Sequence, residues 1–196
     1  MGARILESVR TIKERSPRAV YCCDPVMGDV GRGFFVMEGI PEFLRDEVMA
    51  VADIVTPNHF ELNYLVARET STMAEIVDAA REVRAMGPGV VLVTSAVASD
   101  APADQIHMIA VDDAGAWRVT TPTIARDFTG SGDVTAAVFL NYFLRGGIVE
   151  GLEKTADIVF GLLAKTAELG RRELAIVPAQ DEFVAPTYRF TAERIG

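Results

Sequence analysis

Three short apolar runs recur along the chain: Ala19–Cys23 (AVYCC), Asp53–Thr56 (DIVT) and Val90–Thr94 (VVLVT). Each runs out into polar or turn-forming residues, and none shows the apolar–polar alternation of a half-exposed strand, so they read as strands buried on both faces. Helical spacing fills the gaps. Ile5, Val9 and Ile12 form one stripe, closed by Ser16-Pro17, and Pro41–Val51 and His59–Val66 form further helices. Thr72–Met86 carries Ile76, Ala79, Ala80 and Val83 on one side and stops at Gly87-Pro88-Gly89. Strand, helix and strand in alternation predict an α/β architecture of three layers, with a mainly parallel central sheet and helices on both faces. Sheets of this kind collect their ligand-binding groups at the carboxyl ends of the strands. That singles out Asp24-Pro25, the Thr56–Glu61 junction and Thr94-Ser95.

Beyond Ser95 the pattern changes. Gln105–Val111 and Trp117–Thr121 flank the turn signal Asp112-Asp113-Ala114-Gly115, which predicts an antiparallel hairpin. His107 alternates with apolar neighbours there and is read as an exposed strand residue, and Trp117 as a packing residue. Val149–Gly170 has the spacing of a long helix, with Leu152, Ala156, Val159, Phe160 and Leu163 on its apolar side, and Leu174–Val177 is expected to add a last strand. With no repeat, low-complexity segment or linker, residues 1–196 are expected to form one domain.

The chemistry centres on Phe128–Leu144 (FTGSGDVTAAVFLNYFL). A glycine-spaced polar turn, Gly130-Ser131-Gly132-Asp133, runs directly into an apolar stretch, predicting a helix from about Ser131 with Val134, Ala136, Ala137, Val138, Leu140 and Leu144 in its buried stripe. Bare N–H groups at such a helix start make an anion site. A carboxylate within it does not serve as an anion ligand; it fits a base that accepts a proton from a hydroxyl while the amides hold the group being transferred. The plain alternative is that Ser131 and Asp133 only cap the helix. Other strand ends are double-edged too. Asp24 either binds a ligand or closes a turn before proline. Asn58 and Glu61 have the spacing of a capping box, while Glu61 also suits a carboxylate that meets Mg²⁺ directly or through water.

Charge narrows the partners. The net charge is −9 and no basic cluster offsets it, which argues against a nucleic-acid backbone. A nucleotide remains compatible if local N–H groups and a cation supply the attraction. The only cysteines, Cys22 and Cys23, are adjacent and read as strand residues, not a disulfide or zinc framework. No run reaches the roughly 18 apolar residues of a membrane span, and the first residues read as a charged amphipathic stretch rather than a signal peptide. A cytoplasmic location is expected.

Asp24–Asp29 (DPVMGD), Thr56–Glu61 (TPNHFE), Val93–Ser95 (VTS) and Gly130–Asp133 (GSGD) occur in the order and spacing of the pyridoxal kinases, of the ribokinase-like superfamily, which the chain resembles over nearly its whole length. Asp127, six residues before Asp133, matches a further aspartate of the superfamily signature, and ELAIVPAQDEF resembles the end of a bacterial pyridoxal kinase. The resemblance implies transfer of the ATP γ-phosphoryl group to the 5′-hydroxyl of pyridoxal, pyridoxine or pyridoxamine. It makes Asp133 the base beside the substrate hydroxyl, and Gly130, Ser131 and Gly132 the anion hole. It assigns Asp24, Thr56, Asn58, Glu61, Thr94 and Ser95 to ATP or its metal, Thr121, Pro122, Thr123 and Ile124 to the border of the adenine, and Asp29 and Glu61 to Mg²⁺. It also implies a monovalent cation such as K⁺ and a homodimer. Family members carry an additional N-terminal stretch that supplies the first strands, most vitamer contacts and part of the dimer face. With those strands absent here, the expectation is an exposed sheet edge, self-association and weak turnover. Two alternatives stay open: a hydroxymethylpyrimidine or sugar kinase of the same superfamily, and a nucleotide-binding homologue without turnover.

Overall fold

The computed structural model describes residues 2–196. Its first half follows the strand–helix alternation. Helix α1 (Gly2–Arg15) leads to β1 (Cys22–Cys23), and α2 (Ile40–Phe43) continues as a wider π-helical turn, Leu44–Val48, before β4 (Ile54–Val55). Helices α3 (His59–Leu65) and α4 (Met73–Ala85) then separate β4 from β5 (Val90–Ala96). Between β1 and α2 the Asp24–Val36 loop folds into a small antiparallel pair, β2 (Gly28–Asp29) and β3 (Gly33–Phe34). The hairpin β6 (Gln105–Val111) and β7 (Ala116–Pro122) precedes the long helix α5 (Ser131–Glu168).

The main sheet has the order β1-β4-β5-β6-β7-β8, with β8 (Glu193–Arg194) at its far edge. β1, β4 and β5 pair in parallel, each reached from the last by the helical crossover that parallel pairing needs. β6, β7 and β8 add on antiparallel, so four of the six strands still run one way. Alternate residues divide the sheet between two cores. Val91 and Val93 of β5, with Ile109 and Val111 of β6, pack into the cluster built by α1, α3 and α4. Val90, Leu92 and Ala110 face the other way, onto Phe139, Leu152 and Ala156 of α5. Helices therefore cover both faces.

Four expectations need correcting. His107 is not exposed: it is 1% accessible, because it shares the β6 face of Ile109 and Val111 and turns into the α1–α4 core, where Nδ1 meets the Thr120 hydroxyl at 2.9 Å. Leu174–Val177 is no strand; one bridge, Thr129 to Glu173, replaces it, and the sheet's last strand comes from Glu193–Arg194 in the tail. Strand β1 is shorter than Ala19–Cys23. The buried stripe of α5 is also rotated. Ala137 and Leu144 are exposed, while Thr135, Val138 and Phe139 are buried. Helix α5 is two helical segments hinged at Gly147, whose φ of 79° and ψ of −168° suit a residue without a side chain. That break lets Ile148–Glu168 pack along the sheet beside the segment that begins at Ser131.

Candidate functional site: a cleft at the strand ends

The polar strand ends converge as expected. At β1, Asp24 is held by the Thr56 hydroxyl, 3.3 Å from its Oδ1. Thr56 itself is 2% accessible and supports Asp24 from below, outside the cleft lining. At β4 the capping box is real: the Asn58 side chain accepts from the Glu61 N–H at 2.9 Å, and Glu61 Oε2 accepts from the Asn58 N–H at 2.8 Å. The same two residues also fasten the DPVMGD loop. Asn58 Nδ2 donates to the Gly28 carbonyl at 2.8 Å, and Glu61 Oε1 accepts from the Met27 N–H at 3.0 Å. At β5 the strand bulges. Thr94 donates its N–H to the Pro57 carbonyl at 2.8 Å, and Ser95 takes a φ of 53°, an unfavourable conformation for a residue with a side chain. Strain of this kind concentrates at functional sites; here it turns Ser95 into the cleft.

The Gly130–Asp133 turn faces these ends. It is anchored by Thr129, whose N–H donates to the Arg172 carbonyl at 3.0 Å and whose carbonyl accepts from Leu174 at 3.0 Å. The N-cap of α5 is Gly130 itself, left-handed at φ 85°, and no side chain caps the helix. Ser131 and Asp133 are therefore free of the capping role, and the first amides of α5 are left to a ligand. The turn lies against β1: a Cβ added to Gly132 would sit 3.1 Å from Asp24 Oδ2.

A cavity of about 290 Å³ joins these pieces. Asp24, Asp29, Asn58, Glu61, Thr94, Ser95 and Gly130–Asp133 all line it. A second cavity of about 250 Å³ shares Asp29, Ser95 and Ser131 with the first and extends along Thr121, Pro122, Thr123 and Ile124 to Phe160 and Leu163. Together they form one cleft, polar at the helix start and more apolar at the far end. The sequence reading missed Arg32 and Phe35 from the β2–β3 hairpin, and Phe128. It placed Phe160 with the core residues of α5, yet the half-buried ring helps to line the second cavity. An arginine set between Gly31 and Gly33 was the one legible signal among them.

Carboxylates dominate the electrostatics. Burial pushes Glu61 up to about 7, against the pull of its backbone N–H partners. Burial likewise raises Asp24 to about 6, opposed by the Thr56 hydroxyl and helped by the nearby Asp133 charge. Gathered carboxylates that resist ionisation are poised for a cation or a proton. Among the described residues no three or more acidic, histidine or cysteine groups form a ready metal cage.

The profile of the phosphomethylpyrimidine kinase family matches residues 2–175. The chain is 46% identical over 198 residues to pyridoxal kinase PdxY of Rubrobacter xylanophilus, covering all of this chain and 68% of that protein. It is equally similar, 46% over 197 residues, to pyridoxal kinase PdxY of Leifsonia xyli, with 100% and 70% covered. A solved structure of pyridoxal kinase from Leishmania donovani, in complex with ADP and pyridoxine, superposes with a TM-score of 0.87 at 26% identity, over 100% of this chain and 70% of that one. On its sequence, its ribokinase-like architecture and these likenesses, the chain belongs to the pyridoxal kinase family, within the wider phosphomethylpyrimidine kinase family.

Proposed function

We propose that this chain transfers the γ-phosphoryl group of ATP to the 5′-hydroxyl of pyridoxal and related B6 vitamers, as one cytoplasmic domain working in a homodimer. The uncapped start of α5 carries the reading: Gly130 caps without a side chain, leaving the amides of Ser131 and Gly132 and the carboxylate of Asp133 for chemistry. Pyridoxal kinases at 46% identity support the reaction, and the ADP and pyridoxine in the Leishmania donovani enzyme support the ligands.

Phosphoryl transfer asks a protein for positioning and charge stabilisation more than for covalent chemistry. Asp133 accepts the hydroxyl proton as the oxygen attacks. The amides of the Gly130–Asp133 turn hold the oxygens of the moving phosphoryl, helped by the positive end of α5. Thr94 and Ser95 border the phosphate chain, and Thr121–Ile124 border the adenine. Asp29 and Glu61 would hold Mg²⁺, Glu61 directly or through water on the lone pairs left beside the backbone N–H groups its oxygens accept. When bound, the ion screens the phosphates from the surrounding carboxylates and draws charge off the γ-phosphoryl. Asp24, held by the Thr56 hydroxyl, would stand beside ATP or its metal.

Formation of pyridoxal 5′-phosphate from ATP and pyridoxal by the purified chain tests the reading. Asp133→Asn should keep ATP affinity while kcat falls roughly 10²-fold or more, the usual contribution of a positioned base. An unchanged kcat would return Asp133 to a structural role. The family profile's own description keeps one competitor in play. Faster turnover of a hydroxymethylpyrimidine than of any B6 vitamer would move the substrate assignment and leave the mechanism standing.

A further inference from the structure

The first cavity holds four acidic side chains, Asp24, Asp29, Glu61 and Asp133, and a single basic one, Arg32. A triphosphate entering it meets partial positive charge from backbone amides and just one full positive charge from a side chain. We propose that Arg32 binds the phosphate chain of the nucleotide from the hairpin side of the cleft. The inference rests on the kinase reading above and assigns a residue that neither the sequence motifs nor that mechanism includes.

Position is the first argument. Arg32 lines both cavities, so it stands where the polar end of the cleft passes into the base end. Ser95, Phe128 and Ser131 share that place. A nucleotide with its transferring phosphoryl at Ser131 and its base at Thr121–Ile124 must run its phosphates past these residues. Availability is the second. Among the described residues Arg32 takes part in no ion pair, although Asp29 is three positions away. Its guanidinium lies over the Phe35 ring at 5.3 Å, a contact that orients the planar group and leaves its donors free. Arg126, the other cation of the second cavity, is already committed, donating through Nη1 to the Ala167 carbonyl at 3.0 Å. The third is mounting. Arg32 sits at the tip of the β2–β3 turn, where its N–H donates to the Asp29 carbonyl at 3.1 Å, and the hairpin is fastened to α3 through Asn58. Bidentate arginine is the side chain best matched to phosphate oxygens.

The test is calorimetry on the full chain with Mg²⁺ and a non-hydrolysable ATP analogue, ADP and adenosine, for wild type, Arg32→Ala and Arg32→Lys. Loss of a charge-assisted pair should weaken the analogue and ADP roughly 10- to 100-fold in Arg32→Ala. Adenosine affinity should not move, and lysine should restore part of the loss. In turnover the KM for ATP should rise while the KM for pyridoxal holds. Equal ATP affinity in wild type and Arg32→Ala, equal losses for adenosine and ATP, or a lysine variant no better than alanine would each overturn the assignment. A wild-type chain that binds no ATP would overturn the kinase reading together with it, so the two failures are distinct.

Discussion

Glu61 offers the sharpest physical test of the site. Its carboxyl rises from an ordinary 4.5 to about 7 in the folded protein, chiefly through burial at 3% accessibility. The folded state therefore holds this proton more tightly than the unfolded chain does. Between pH 4.5 and 7 the unfolded chain has already released it, so stability falls as the pH rises. The contribution is complete below 4.5 and lost on passing 7, and it amounts to about 3 kcal/mol. Asp24, raised to about 6, adds a smaller loss of the same sign. Urea unfolding in EDTA at pH 5 and pH 8 should show the decline in the wild type. Glu61→Gln removes the titration but presents one acceptor oxygen where two served Met27 and Asn58. It should start about 1–3 kcal/mol below wild type at pH 5, the usual cost of an unmet buried donor. The two curves should then converge as the pH rises. A gap that stays constant across the range would show that burial does not control this carboxyl and would remove the argument that the site awaits a cation.

Two further outcomes follow from the same geometry. ATP affinity should be far higher with Mg²⁺ than in EDTA, because Asp24, Asp29 and Glu61 line the cavity proposed for the phosphates; equal affinity by titration calorimetry would take the metal away from these carboxylates. Gly132→Val should depress both ATP affinity and kcat, since even its Cβ would stand 3.1 Å from Asp24 Oδ2 and its methyl groups would fill the approach to the turn; normal kinetics would mean the phosphoryl group does not come that close.

What was legible in the sequence was what local chemistry decides. The capping box at Asn58 and Glu61 depends on four consecutive residues, and the structure contains it. The β6–β7 hairpin follows from a turn signal between two apolar runs, and its register is regular from Gln105 to Val111. Errors came where a distant element decides. The face of β6 that buries His107 is chosen by the α1–α4 layer, and His107 follows Ile109 and Val111 into it even though its Nε2 finds no partner there. Helical period alone left the buried stripe of α5 free to rotate by a residue; Phe139, packed into the sheet-facing cluster, fixes it. The strand role of Leu174–Val177 passed to Glu193–Arg194 for a similar reason: β7 needed an edge partner, and the tail lay beside it.

The site shows the same division at finer scale. Asp24, the Thr56–Glu61 junction and Thr94-Ser95 were legible because they sit at the ends of parallel strands, which such a sheet brings together whatever the intervening sequence, and Gly130–Asp133 because a glycine-spaced turn opens a helix. How they cooperate was not. Glu61 carried two readings in the sequence, helix cap and metal carboxylate; it caps the helix, binds the Met27 N–H and still lines the cavity. One buried carboxyl thus locks two loops, so a cation drawn to it would act on the loop that carries Asp29 and Arg32 as well as on the phosphates. Coupling of this kind makes positioning and charge one problem. In the proposed site, the residues that hold the cleft in shape are the residues whose charge a nucleotide and its cation would have to satisfy, and a substitution at Glu61 will change geometry and electrostatics together unless pH is used to separate them.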